Sequence, residues 1–304
     1  MLTEIRMSYL LNNDQSLKNN ITSIAAEEIE GCMEALNNLE IHEAIHDIRK
    51  RLKKLRALAR LVRHDLSEVH FKEINRYYRD LGREISEIRD LSAHLETIEF
   101  LDERYGKFLY ANFFKPVTNL LQKERTQLTR VMVKNQFFTE HLPEKLKYAQ
   151  NDLLNWPLQA TDMQVILPGI EKVYKRGKKA LEKAYNNPSM ENFHEWRKRV
   201  KYLWYQTLLL QDSWPEYFET LEAEIHLLAD HLGNDHDLIL LQHKISSEAF
   251  KSIDPQRLEL MQALIDRYSQ GLRNEAKIKG ELIYAETPED FSKRIGSYIG
   301  TKWN

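Results

Sequence analysis

Apolar residues recur along almost the whole chain at spacings of three and four, the period of a helix with one buried face. No segment shows the strict alternation of a half-buried strand. The pattern predicts twelve helices, near 16–39, 41–65, 68–89, 91–114, 116–138, 143–155, 162–186, 190–212, 214–233, 236–251, 254–278 and 287–302. Pro116, Pro143, Pro188, Pro215 and Pro255 fall at or beside predicted starts, where a missing N–H costs little. Asp90, Thr161, Asp254 and Thr287 are candidate N-caps. The fold class that follows is all-α, built from antiparallel helices joined by short turns.

The chain also repeats itself. Residues 46–56 read HDIRKRLKKLR and residues 194–204 read HEWRKRVKYLW. At an offset of 148 this pairs His46 with His194, Asp47 with Glu195, Arg49 with Arg197, Lys50 with Lys198, Arg51 with Arg199 and Lys53 with Lys201. Downstream, at an offset of 147, ISEIRDL (85–91) answers LGNDHDL (232–238), with Asp90 opposite Asp237. Two halves of similar plan are expected, 15–140 and 160–304, with a boundary between 139 and 161.

Charge enters through its placement. The 304 residues hold 44 Lys and Arg against 46 Asp and Glu, a formal net charge of −2, so overall charge does not point to a polyanion partner. The cations are nonetheless grouped. Segment 46–63 has eight Lys and Arg against one Asp, and 171–205 has ten against four Glu. At about 100° per residue, His42, Arg49, Lys50, Lys53, Arg60 and His64 share the face of His46, while Ile41, Ile45, Ile48, Leu52, Leu55 and Ala59 lie opposite. In the second copy Arg197, Lys198, Lys201 and Tyr205 share the face of His194, and Phe193, Trp196, Val200 and Leu203 oppose them. Further stripes are Lys172, Lys175, Arg176, Lys179 and Lys183, and Lys72, Arg76, Arg79 and Arg83. A basic helix face is most often simply solvated. Rows of like charge repel by a few tenths of a kcal/mol per neighbouring pair, roughly, and several such rows, two of them repeat-related, suggest an anion that relieves the repulsion. Arg forks and Lys ammoniums both suit phosphate oxygens.

Composition excludes other classes. Cys32 is the only cysteine, so no internal disulfide and no multi-cysteine zinc site can form, and a reducing compartment is expected. The opening MLTEIRMSYLLNNDQ lacks the basic start and apolar run of a signal peptide, and no apolar stretch is long enough to cross a membrane. A Gly-rich phosphate loop, a serine elbow and a cysteine nucleophile setting are all missing.

These residues resemble a known family. H-x-x-R-x-x-x-K-K-x-R at 46–56, its second copy at 194–201, the turn L-G-x-x-x-D at 232–237 and GIEKVYKRGKKAL at 169–181 are similar to the conserved histidine α-helical domain, CHAD. The likeness runs from about 15 to 300 and implies one CHAD domain over 1–304, with two helical-bundle halves related by a pseudo-twofold axis. It implies binding of inorganic polyphosphate, or a similar polyanion, on a basic surface between the halves, without catalysis. Phosphate or sulfate could occupy the same site. It further implies a cytoplasmic location at polyphosphate granules. Carried to matching positions, the contacts are His46, Arg49, Lys53, Lys54 and Arg56, then Lys175, Arg176, Lys179, His194, Arg197, Lys198 and Lys201. The helical-face reading adds His42, Lys50, Arg60, Arg76, Arg79, Arg83, Lys172 and Tyr205. Tyr202 and Trp204 stand where the family often has basic residues, and Glu27 and Glu28 stand opposite Lys175 and Arg176, so a lopsided site is expected. The E-x-E-x-K signature of the triphosphate tunnel domain is missing, and no cofactor, metal ligand or catalytic residue is assigned.

Two rival readings remain. His226, Asp230, His231, Asp235, His236 and Asp237, with His194 and Asp212 or Asp266, could form a metal-dependent phosphohydrolase site. The plainer reading of 230–237 is a helix end, with Gly233 at the C-cap and Asp235 or Asp237 capping the next helix. Nucleic acid could meet the basic surface through its phosphates, but only as a weak competitor, because no nucleic-acid module is recognised.

Overall fold

The computed structural model describes residues 9–302 other than Asn13 and Thr161, so the cap expected at Thr161 lies outside the described residues. Eleven α-helices and no strand occupy the described residues: α1 Leu17–Asn38, α2 Ile41–Leu61, α3 Glu68–Glu84, α4 Ser86–Tyr105, α5 Lys115–Lys134, α6 Leu142–Asp152, α7 Leu167–Asn186, α8 Met190–Leu209, α9 Pro215–Ile245, α10 Pro255–Ile283 and α11 Pro288–Lys302. Two expected caps hold: Asp254 accepts from the Gln256 amide and Thr287 from the Asp290 amide.

One expected break does not exist. The helices predicted at 214–233 and 236–251 are a single helix, α9, of 31 residues. Gly233 is therefore no C-cap, and neither Asp235 nor Asp237 caps a helix. No glycine among the described residues adopts positive φ. An interior glycine costs a helix about 1 kcal/mol relative to alanine. Packing outweighs that here, because Leu228, Ala229, Leu232, Leu238 and Leu241 are buried on both sides of Gly233. Asp90 is likewise not a cap. It lies in the second turn of α4, whose cap position is Ile85.

The expected apolar faces do form the core. Ile45, Ile48, Leu52, Leu55 and Ala59 of α2 are buried, as are Phe193, Trp196, Val200 and Leu203 of α8. These two repeat-related helices pack on each other, α1 covers α2, α7 covers α8, and α9 runs between α8 and α10. Two apolar clusters result, and each draws on both sequence halves. The larger joins α1 and α2 to α7 and α8. The smaller joins Leu91, Leu101 and Leu121 to Leu238, Ile245 and Ile265.

Two local features fix the approach of helices. Gly169 lets the start of α7 cross the end of α2, and a Cβ there would stand 2.1 Å from the Leu61 carbonyl oxygen. Between α1 and α2, fully buried Glu28 accepts from Lys54 at 2.7 Å and from Arg51 at 3.3 Å. Replacing Gly169 with Ala forces backbone apart and is expected to cost about 2 kcal/mol in urea unfolding, in line with overpacked sites. Glu28→Leu alone strands buried cations and is expected to cost about 3–5 kcal/mol; Glu28→Leu with Lys54→Leu recovers most of that loss in the same measurement.

Candidate anion-binding cleft

In both copies of the repeat, one acid sorts the cations. Asp47 holds Lys50 at 2.8 Å and Arg51 at 2.6 Å. Glu195, its counterpart, pairs with Lys198 and Arg199. These are i,i+3 and i,i+4 contacts, the neighbours a helix surface allows. Arg49 and Lys53, and likewise Arg197 and Lys201, lie beyond that reach. None of these four has a carboxylate within 4.0 Å among the described residues.

All four project into one cleft between α2, α4, α8 and α9. It comprises two compartments of about 340 and 280 Å3 that share part of their lining, the smaller also walled by α3. Arg49, Lys53, Arg197, Lys201 and His236 line both. The larger adds His46, Lys50 and Tyr205, together with Trp204 stacked on His226 at 4.2 Å. The smaller adds Arg56, Arg79, Arg83, His194 and Lys198. Arg49 is steered by donating to the Gly82 carbonyl at 2.7 Å. Arg197 passes α9 at Gly233, its guanidinium 3.8 Å from where a Cβ would stand, an ordinary contact distance.

Partial burial of converging cations shifts their titration. Burial, then Arg197, Arg49 and Lys201, hold Lys53 well below the ordinary lysine value. Burial and Arg197 bring Lys201 down to about 8. Charging Lys201 in the fold thus costs roughly 3 kcal/mol more than in water. The rings of His194 and His236 lie tilted against each other with centroids 4.5 Å apart. Burial and the surrounding cations lower them to about 4 and about 3. The Nδ1 of His194 and the Nε of Arg197 are buried without a partner. A buried donor left unmade costs about 1–3 kcal/mol, and an anion's oxygen would satisfy the arginine.

Other residues expected at the site are elsewhere. Lys54 points the opposite way and is consumed by Glu28. Arg60 turns to Asn75 at 2.7 Å and lies over the Tyr202 ring. His42 borders neither compartment and feels Arg125 of α5. A shared face is not a shared place: from residue 42 to 60 a helix advances ~27 Å. Arg76 lines a separate hollow with Asp80 and Glu84. On α7, Lys175, Arg176 and Lys179 are exposed and Lys172 is partly covered, and none lines the cleft. Arg176 lies near Arg199, whose charge together with burial lowers its pKa.

Sequence reasoning assigned no anion role to Arg89, Asn234, Trp204 or His236, which all line the cleft. The repeat held a signal for one pair, since Arg89 and His236 are equivalent at the offset of 147. Asp90 and Asp237 also face the larger compartment. Burial raises the Asp90 carboxyl, opposed by Arg49 and reinforced by Asp237.

The continuity of α9 divides the His/Asp cluster, leaving His236 and Asp237 on the cleft and turning others away from it. His226 and Asp230 border the cleft, whereas His231 turns to Glu275 of α10. Asp235 is buried and bound by Arg273 and Ser269. No three His, Cys, Asp or Glu side chains among the described residues are grouped to hold an ion. No described helix is long and apolar enough to cross a membrane.

Comparison with known proteins agrees with this architecture. The crystal structure of the CHAD domain from the plant Ricinus communis superposes with a TM-score of 0.60 at 16% identity, covering 91% of this chain and 94% of that one. That likeness is one of fold. No curated protein matches the chain. The family model for the CHAD domain matches residues 25–246, most of the sequence, and the protein belongs to the CHAD family.

Proposed function

We propose that the cleft binds inorganic polyphosphate, or a closely similar linear polyanion, without catalysis. The observation that carries this is the convergence of Arg49, Lys53, Arg197 and Lys201, each without a carboxylate partner, in one concavity. Charges held together at this cost are stabilised by an anion more than by water. A chain of phosphates supplies many oxygens at regular spacing, so one ligand reaches both compartments. Longer chains gain by multivalency. Free phosphate or sulfate competes weakly, and nucleic acid meets the same cations only at the rim. The same reading places the protein in the cytoplasm, at polyphosphate granules.

The two compartments are not equivalent. Around α1, Glu28 neutralises Lys54 and Arg51. Around α7, Arg176 stands where Glu28 would, and adds positive charge. The larger compartment is lined by Trp204 and His226 where the smaller has Arg56, Arg79 and Arg83.

The histidines do not act as ordinary near-neutral titrators, contrary to what their unperturbed value near 6.5 suggests. His194 and His236 are neutral in the free cleft at physiological pH, and they gain charge only in acid. Lys201 titrates at about 8, and Lys53 is also held well below the ordinary lysine value. A bound anion raises both, so affinity falls as pH rises through about 8.

Isothermal titration with polyphosphates of several lengths tests the site. Wild type loses affinity steeply between low and high salt. Arg49→Glu with Arg197→Glu lowers affinity at least about 100-fold, two charge-assisted contacts being lost. Retention of wild-type affinity by this double variant sinks the assignment. A pH series from 7 to 10 checks the titration: affinity declines above 8, and Lys201→Arg, which stays charged, flattens part of the decline.

A further inference from the structure

A second cavity has chemistry opposite to that of the cleft. It lies between α3, α6 and the turn that follows α6, measures about 450 Å3, and has no Lys or Arg in its lining. The rings of Tyr77, Tyr78, Tyr148 and Trp156 line it, with the carboxylates of Glu73 and Asp152 and the imidazole of His70, which Ser67 Oγ engages at 2.7 Å. Helical spacing assembles it: Glu73 and Tyr77 are one turn apart on α3, and Tyr148 and Asp152 one turn apart on α6. The Tyr77 and Tyr148 rings are 5.4 Å apart, and Tyr77 meets Tyr78 edge-on at 5.6 Å. Tyr77 donates its hydroxyl to the Lys145 carbonyl at 2.6 Å, which fixes the ring between the two helices. Tyr78 and Trp156 are buried, and Tyr148 is 60% exposed at the mouth.

Two observations concern what this cavity lacks. Elsewhere the protein lays its own cations over its rings: Arg60 over Tyr202, Lys201 over Trp204, Arg273 over Phe193, Arg294 over Tyr217. Among the described residues no Lys or Arg stands over any of the four rings here. Nor does Glu73 or Asp152 have a cation within 4.0 Å among the described residues. Ring faces and carboxylates both attract positive charge, and here neither kind is supplied with it.

We infer that this cavity binds a small organic ammonium ion, a methylated one fitting best. Aromatic faces compete well with water for a weakly hydrated quaternary ammonium. A compact metal cation demands more oxygen ligands than two carboxylates provide. The volume lies within the range of small-molecule sites. The site does not depend on the anion reading, although Tyr78 borders both this cavity and the smaller basic compartment.

The test is a choline titration of the full-length isotope-labelled protein followed by NMR. Saturable shifts are expected at Tyr148, Asp152 and the Trp156 indole. The uncharged isostere 3,3-dimethylbutan-1-ol and calcium chloride leave those signals in place. Tyr148→Ala and Asp152→Asn each weaken choline binding about tenfold, while polyphosphate affinity is unchanged. Tyr148 is exposed at the mouth, so its removal leaves the fold intact, which circular dichroism verifies. The inference fails if choline gives no saturable shift, if the alcohol or calcium reproduces the shifts, or if both variants bind choline like wild type. A trimethyl-lysine peptide binding at least tenfold tighter than choline would overturn the assignment to a free small molecule.

Discussion

Mutual repulsion inside a partly dry concavity is the constraint around which this molecule is organised. Two unit charges 4 Å apart interact with about 4 kcal/mol at an effective dielectric near 20. Arg49, Lys53, Arg197 and Lys201 repel one another yet share one cleft because they stand on helices pinned from behind. The apolar faces of α2 and α8 share one core, with Ile48, Leu52, Trp196 and Val200 buried beneath the cations. Burial first, and the neighbouring cations after it, lower the pKa values of Lys53 and Lys201. Core burial holds in place what electrostatics would push apart.

Local rules decide which cations take part. An acid directly after each repeat histidine captures the cations three and four residues on, and leaves those two and six residues on for the cleft. The same device operates in α2 and α8, so the two helices present matched sets. The surroundings then break the match. Glu28 neutralises the α1 side, whereas Arg176 extends positive charge on the α7 side. Trp204, at the position equivalent to Arg56, stacks on His226 instead of offering charge. The surroundings of the two helices thus differ where their cleft-facing cations agree.

Helix α3 shows how one amphipathic segment serves two opposite chemistries. Its Arg79 and Arg83 border the anion cleft, while Glu73 and Tyr77 border the aromatic cavity. Asp80 holds both arginines and tempers the rim. Tyr78 belongs to both walls, so the two concavities are separated by little more than one ring.

By itself the sequence determined the helical class, the buried faces of α2 and α8, and the equivalence of His46 with His194, because a helix's period turns spacing directly into a face. It also marked the four central cations, since they recur at one offset. It could not decide position along a face: His42, Arg60 and Arg76 share stripes with cleft residues yet lie at other places, as a stripe runs the length of its helix. Nor could it tell a capping glycine from an interior one. Gly233 lies within α9 because the helices packed around it hold both flanks, a tertiary matter. Only the assembled fold decided which cations meet carboxylates from other helices, as Lys54 meets Glu28, and how far burial shifts those that meet none. Charge pairing between helices and loss of water depend on neighbours far away in the chain, which local spacing does not encode.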